Sequence, residues 1–233
     1  MKYPYSLFYL WGFSREFSPE LYPAEVYEFG SNRQNLLFLH YNEIVDQESV
    51  KIIKHFYAFP DSTITVFDEG VLKNGKFRAS RSQLDQIQET AALRCEGDEL
   101  RVEIEGKMGF KEKTVDYKQD LIAGPIFSQF VRENWKVLLE GENVHFHLPA
   151  SNMLRLVRFK IKRHDNSEYK REGVIVLKMK PSCFLLRSFV DASYIVHNLT
   201  SRRVEEIHGF TILPTQKENG EWQNTHVNMY FNY

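Results

Sequence analysis

The sequence predicts a mostly-β protein: a single, strongly curved antiparallel sheet, a half-open barrel, with one amphipathic helix over 125–140 in its concavity. Three observations carry this expectation. Aromatic residues make up 14% of the 233 residues, with 18 Phe and 12 Tyr, and such side chains suit the pleated, half-buried surface of a strand. Short β-branched and aromatic runs recur from Gly30 to the C-terminus, divided by turn signals such as Asn74-Gly75 and Asn219-Gly220. One main segment switches to helical periodicity. No solenoid repeat, low-complexity linker or composition break interrupts the chain, so residues 1–233 read as one domain, long enough for a substantial core.

Residues 35–45 and 49–59 form the first predicted hairpin, turning at Asp46-Gln47-Glu48. Strand 62–72 ends at Lys73-Asn74-Gly75, and 76–80 resumes. Segments 83–95 and 98–106 flank Glu96-Gly97. In the second, Leu100, Val102 and Ile104 alternate with Arg101, Glu103 and Glu105, the pattern of a half-buried strand. Residues 110–118 follow.

Pro125 then stands where a first helical residue belongs. Phe127, Phe130, Val131, Trp135, Leu138 and Leu139 share one helical face, and Gly141 is the stop. Val144, Phe146 and Leu148 alternate with His145 and His147 up to Pro149. Residues 153–164 and 172–181 read as a hairpin around Asp165-Asn166-Ser167, and 182–189 as a short helix capped by Ser182. Strands 193–199, 202–213 and 225–233 finish the sheet.

Composition narrows function. The net charge of −1 gives no global pull toward nucleic acid. No run of about 20 apolar residues exists to span a membrane as a helix. Residues 1–17 hold one Lys and a short apolar stretch, but Pro4, Tyr5 and the lack of a small-x-small cleavage pattern leave two readings: a degenerate export signal or a first strand. Cys95 and Cys183 are too few for a disulfide framework. A single bridge between them requires an oxidising compartment, and small buried apolar thiols are the simpler reading.

Catalytic signatures are sparse. Lys113-Thr114 imitates the end of a phosphate loop, but Glu112 stands where Gly is needed. His145 and His147 share a strand face, a pair that binds metal only if a third ligand arrives; the polar face of an amphipathic strand is the simpler reading. Asp68-Glu69 and Glu205-Glu206 are adjacent in strands, so each pair splits to opposite faces. A basic stripe is the sharpest pattern. Arg158, Lys160 and Lys162 share one strand face and Lys178 and Lys180 the next, with nine Lys/Arg against three Asp/Glu from 153 to 180. Such a face either keeps an outer sheet soluble or meets phosphates.

Residues 130–151 and 184–210 resemble a family of uncharacterised, mostly exported bacterial proteins. The resemblance rests on Phe130, Val131, Arg132 and Trp135, then Leu138, Gly141, Glu142, Pro149, Ser151 and Gly209. Three positions depart from it: Asn152 replaces an Arg, Ala192 a Pro and His208 an aromatic residue, which weakens any site carried over around Ser151. The resemblance implies a fold similar to the lipoprotein carriers, a half-open barrel plugged by helices, and attaches no activity.

The leading expectation is a non-enzymatic cell-envelope protein that binds an apolar ligand (a lipid or acyl chain) or a partner protein in the concave face. Phe127, Phe130, Arg132, Trp135, Glu142 and Phe146 would line that site. One alternative is an enzyme in the same concavity, using Arg132, Glu142 and His147. Another is a peripheral binder of anionic surfaces through Arg158, Lys160, Lys162, Lys178 and Lys180. No catalytic residue, cofactor, metal or nucleic-acid partner is expected. The expected location is periplasm or cell envelope, with cytoplasm as the alternative, and oligomeric state is left open.

Overall fold

The computed structural model describes residues 24–217 and 219–233, so the readings of residues 1–17 lie outside the described residues. The first described strand lies in the middle of the sheet. β1 (Ala24–Glu28) leads outward through β2 (Leu36–Gln47), β3 (Val50–Ala58), β4 (Ile64–Lys73), β5 (Lys76–Leu84), β6 (Glu89–Glu96), β7 (Glu99–Gly106) and β8 (Gly109–Asp116). A helical connection crosses to the opposite edge. The chain then returns through β9 (Val144–Ala150), β10 (Arg155–Arg163), β11 (Val174–Pro181), β12 (Ser193–Asn198), β13 (Val204–Gln216) and β14 (Trp222–Phe231). All these strands form one antiparallel sheet, and the pairing of β1 with β14 joins the two meanders at its centre. β8 and β9 are its edges, so the barrel stays half open.

The edges are protected differently. Along β9, the Ile122 N–H donates to the His147 carbonyl at 2.9 Å and the His147 N–H to the Asp120 carbonyl at 3.0 Å, so the connecting segment covers the strand. β8 is exposed along nearly its whole length and carries Lys111, Glu112 and Lys113, charges that discourage edge-to-edge pairing.

The helix expected over 125–140 is broken. A 3₁₀ turn at Gly124–Ile126 leads into α1 (Phe127–Glu133), and α2 (Trp135–Leu139) follows Asn134. The Asn134 amide Nδ2 donates to the Phe130 carbonyl at 2.9 Å, competing with the helical backbone at that point. Gly141 ends the segment in the left-handed region, φ +79°. The segment expected as a helix over 182–189 contains only a 3₁₀ turn at Leu185–Ser188, and Ser182 does not cap it. Two further differences are local. Residues 85–88 turn and divide the 83–95 segment into β5 and β6, and Ala24–Glu28 pairs as a strand although it precedes Gly30.

The helical segment fills much of the concavity. Phe130, Val131, Trp135 and Leu138 pack in one cluster with Ile53, Leu93 and Val102 of the first meander and Phe146, Ile161, Leu177 and Ile195 of the second. Gly70 lets the 3₁₀ turn lie on β4: a Cβ there would stand 3.0 Å from Ile126 Cγ2. A smaller cluster of Val26, Phe38, Val66, Leu84, Val227 and Met229 underlies the central ladder. No helix among the described residues is long and apolar enough to cross a membrane.

Three outcomes follow from this packing. Trp135 is 5% exposed, so Trp135→Ala removes a buried indole that spans both meanders; denaturant melts should show a loss of about 3–5 kcal/mol. Gly209 has φ +134°, and a Cβ would lie 2.8 Å from the Ser193 backbone of the neighbouring strand. Gly209→Ala should therefore cost roughly 1–3 kcal/mol or more, read from the same melts. His197 packs edge-on against Trp135 at 5.7 Å, and burial pushes its imidazole down to about 4. Because its folded value lies below its unfolded value, its contribution is complete above about pH 6.5 and is lost as the pH falls toward 4. Stability measured across that window should fall, and His197→Gln should flatten the slope.

Candidate functional site

The basic face is built by strand alternation. Phe159 and Ile161 of β10 and Leu177 and Met179 of β11 point into the core, which sends Arg158, Lys160, Lys162, Lys178 and Lys180 to the outer face. Register then sets Lys160 opposite Lys180 and Lys162 opposite Lys178. On the other side of β10, His147 stands opposite Arg158 and His145 opposite Lys160. Like charges directly across a ladder are destabilising, and this face has two consecutive pairs of them. Among the described residues, none of these five cations is paired with a carboxylate.

Titration directions report the same concentration of positive charge. The Lys180 ammonium is lowered, first by burial and then by Arg187, Lys160, Lys178 and Lys162. The His164 imidazole is lowered by burial and then by Lys178 and Lys162, with Asp165 opposing and Lys180 adding. Lys178 Nζ also lies 5.0 Å from the centre of the Tyr194 ring, which faces it from β12.

An apolar loop borders this face. Phe184, Leu185 and Phe189 are 77%, 72% and 85% exposed. The loop is tied to the basic strands at its base: the Ser182 N–H donates to the Arg158 carbonyl at 2.8 Å. Arg187 turns inward, donating from Nε to the Pro181 carbonyl at 2.9 Å and from Nη2 to the Ser182 carbonyl at 2.8 Å. These bonds hold the base of the loop while both phenyl rings remain outside. Farther along β11 and β12 the outer face is covered, because Tyr169 and Tyr194 pack over Val174, Val176 and Val196. Tyr169 in turn stacks on His208, with ring centres 3.9 Å apart.

Of the six residues expected to line the concavity, Phe127, Phe130, Trp135 and Phe146 lie in its core, and Arg132 and Glu142 do not. Phe130, Trp135 and Phe146 are buried, and Phe127 packs against their cluster. Phe130 and Phe146 lie 5.0 Å apart and Phe146 and Phe159 6.1 Å, so these rings spend their surface on each other. Arg132 and Glu142 are exposed, and His147 faces outward from β9. The concavity therefore does not gather Arg132, Glu142 and His147.

His147 has an acidic partner that its own strand does not reveal: Asp120 Oδ1 lies 2.8 Å from Nδ1. His145 Nδ1 lies 3.4 Å from Ser182 Oγ. No group of three or more metal-ligating side chains occurs among the described residues. Cys95 and Cys183 are both free thiols, the first half-buried and the second exposed on the apolar loop.

Sequence reasoning missed the outward course of Phe184, Leu185 and Phe189, which it read only as part of a short helix over 182–189. Their closeness in the chain to Lys180 was the available signal. Their exposure was not.

No family model matches the chain, and no curated protein matches it. Among solved structures it is similar to a β-barrel-like protein of a domain of unknown function from Brucella abortus. The TM-score is 0.44 and the identity 6%, covering 91% of this chain and 94% of that one.

Proposed function

We propose that this protein docks peripherally on anionic membrane surfaces through the outer face of β10 and β11, with the 183–190 loop entering the headgroup boundary. The observation that carries this reading is the junction of an unpaired lysine face with three exposed apolar side chains, Phe184, Leu185 and Phe189. Basic groups near an anionic leaflet contribute about 1 kcal/mol each, and aromatic and leucyl side chains add affinity by leaving water. Neither element suffices alone: the charge is screened by salt, and three apolar side chains bury little area.

The apolar loop is also what favours lipid over nucleic acid. A phosphate backbone offers nothing for Phe184, Leu185 and Phe189 to enter, whereas the acyl boundary does. On this reading the protein works at a membrane face, and the cell envelope is where we place it. Binding of an apolar ligand in the concave face has less support, since the aromatic side chains expected to line it pack against one another.

Vesicle co-sedimentation tests the proposal. The protein should bind vesicles containing phosphatidylglycerol, release at high salt and ignore pure phosphatidylcholine. Replacing Lys160, Lys162 and Lys178 with Gln should weaken binding by about 3 kcal/mol, roughly 100-fold. Replacing Phe184, Leu185 and Phe189 with Ser should weaken it separately while leaving the melting temperature unchanged, because those side chains are exposed. Unaltered vesicle binding by both variants, or tighter binding to duplex DNA than to anionic vesicles, would overturn the reading.

A further inference from the structure

The basic face ends in a corner of different chemistry, where β10 meets the edge strand β9. Register sets His147 opposite Arg158 and His145 opposite Lys160. The Ser182 N–H bond to the Arg158 carbonyl extends the first row, so His147, Arg158 and Ser182 stand side by side. Alternation puts these side chains on the outer face, because Phe146 and Phe159 turn into the core and Pro181 is buried. Residues directly opposite on one face have Cβ atoms about 5 Å apart, so Arg158 and His147 can grip one small group together.

The histidine of this corner is held in place. Its backbone is bound on both sides by the connecting segment, through the Asp120 carbonyl and the Ile122 N–H. Its ring is bound as well, since Asp120 Oδ1 lies 2.8 Å from Nδ1. With the carboxylate accepting from Nδ1, the ring orientation is fixed and Nε2 becomes the outward atom. The ring still reaches solvent, at 20% side-chain exposure, and Arg158 is exposed. Asp120 is bound to His147 rather than to Arg158 across the ladder. The Arg158 guanidinium makes no hydrogen bond or ion pair among the described residues. An anchored imidazole thus stands beside an unused guanidinium, and both are open to solvent.

Two other chemistries fit poorly. A metal ion would need three or more ligating side chains, which do not converge among the described residues, and Arg158 and Lys160 would repel it. A nucleophile relay needs acid, imidazole and hydroxyl in one line. Here they form two separate pairs, Asp120 with His147, and His145 with Ser182 at 3.4 Å.

We propose that the Asp120–His147–Arg158 corner binds the terminal phosphate of a phosphomonoester, so that the docking face prefers monoester headgroups to diester ones. The preference among lipids rests on membrane docking, whereas the phosphate site does not. Arg158 meets two phosphate oxygens through its planar fork and His147 Nε2 meets the third, with Lys160 adding charge from the next row. A monoester has three free oxygens for these partners and a diester has two. A monoester also keeps an ionisable proton until about pH 6. Nε2 can share that proton as donor or acceptor, which a diester does not permit. The Asp120 carboxylate lies on the Nδ1 side, so the imidazole stands between it and the phosphate.

Co-sedimentation of the full chain with phosphatidic acid vesicles, against phosphatidylglycerol vesicles adjusted to the same surface charge, tests this. Phosphatidic acid should bind about 10-fold tighter, the worth of one charge-assisted hydrogen bond. His147→Phe keeps a ring and removes both nitrogens. It should bring phosphatidic acid down to the phosphatidylglycerol level and leave phosphatidylglycerol binding as in wild type. Arg158→Lys keeps the charge and removes the fork. It should shrink the same ratio, which keeps the test decisive should circular dichroism show His147→Phe unfolded. Calorimetry with glycerol 3-phosphate and its diester counterpart, glycerophosphoglycerol, separates the sources. Saturable binding of free glycerol 3-phosphate alone supports the site and assigns it a soluble ligand, whereas a preference seen only on vesicles supports it as a headgroup site. A wild-type ratio in both folded variants, equal binding of the two free phosphates, or charge-matched vesicles bound equally with no glycerol 3-phosphate binding would overturn the proposal. In the last case phosphatidylglycerol binding still stands for docking, and loss of all vesicle binding with glycerol 3-phosphate still bound would sink docking alone.

Discussion

The β1–β14 ladder is the constraint on which the rest of the sheet depends. Every other pairing joins strands that are consecutive in the chain, and each can form as a local hairpin. β1 and β14 lie at opposite ends of the described chain, so their ladder carries the whole cost of closing that long loop. Its reward is burial: Ala24 and Val26 are fully buried between β2 and β14. Without this ladder there are two separate meanders, each with an extra open edge.

The helical connection makes the two meanders one core. Residues 121–139 leave one edge of the sheet and reach the other, and on the way their apolar side chains touch strands of both meanders. The covered edge at β9 and the charged edge at β8 follow from the same route, since the connection passes along β9 and leaves β8 to solvent. The broken helix suits this course. A straight four-turn helix would keep one apolar stripe facing one way, whereas the break at Asn134 lets Phe130 and Trp135 reach different neighbours.

Two regions of the sheet depart from what stability alone favours. On the outer face of β10 and β11, lysines stand directly opposite lysines with no carboxylate between them. On the concave face of β2 to β5, buried polar groups lack partners. On the basic face such a conflict is expected, because local choices that oppose packing occur where a site is kept for something else. The surrounding structure absorbs the first departure through the apolar rows on the reverse of the basic face, Phe159 and Ile161 with Leu177 and Met179.

How much of this was legible in the sequence depends on the range over which each feature is specified. Hairpin positions are local: Asn74 and Gly75 both take positive φ, the turn their chemistry favours, and strand boundaries follow. Faces are local too, because alternation has period two, so Lys160 and Ile161 must point in opposite directions once β10 is a strand. The sequence by itself therefore determined the mostly-β class, the helical connection and the composition of each face. Tertiary structure alone decided what crosses between elements. The Asp120–His147 contact exists because the connecting segment folds back along β9. The apolar loop is outward because Arg187 is bound to its base rather than to solvent. A polar row on the concave face of β2 to β5 draws Asn42, His55, Asp68 and Ser82 from four strands, and only register brings them into line. A one-residue slip between any two of those strands would break the row without changing a single residue type, which is why no pattern in the sequence could announce it.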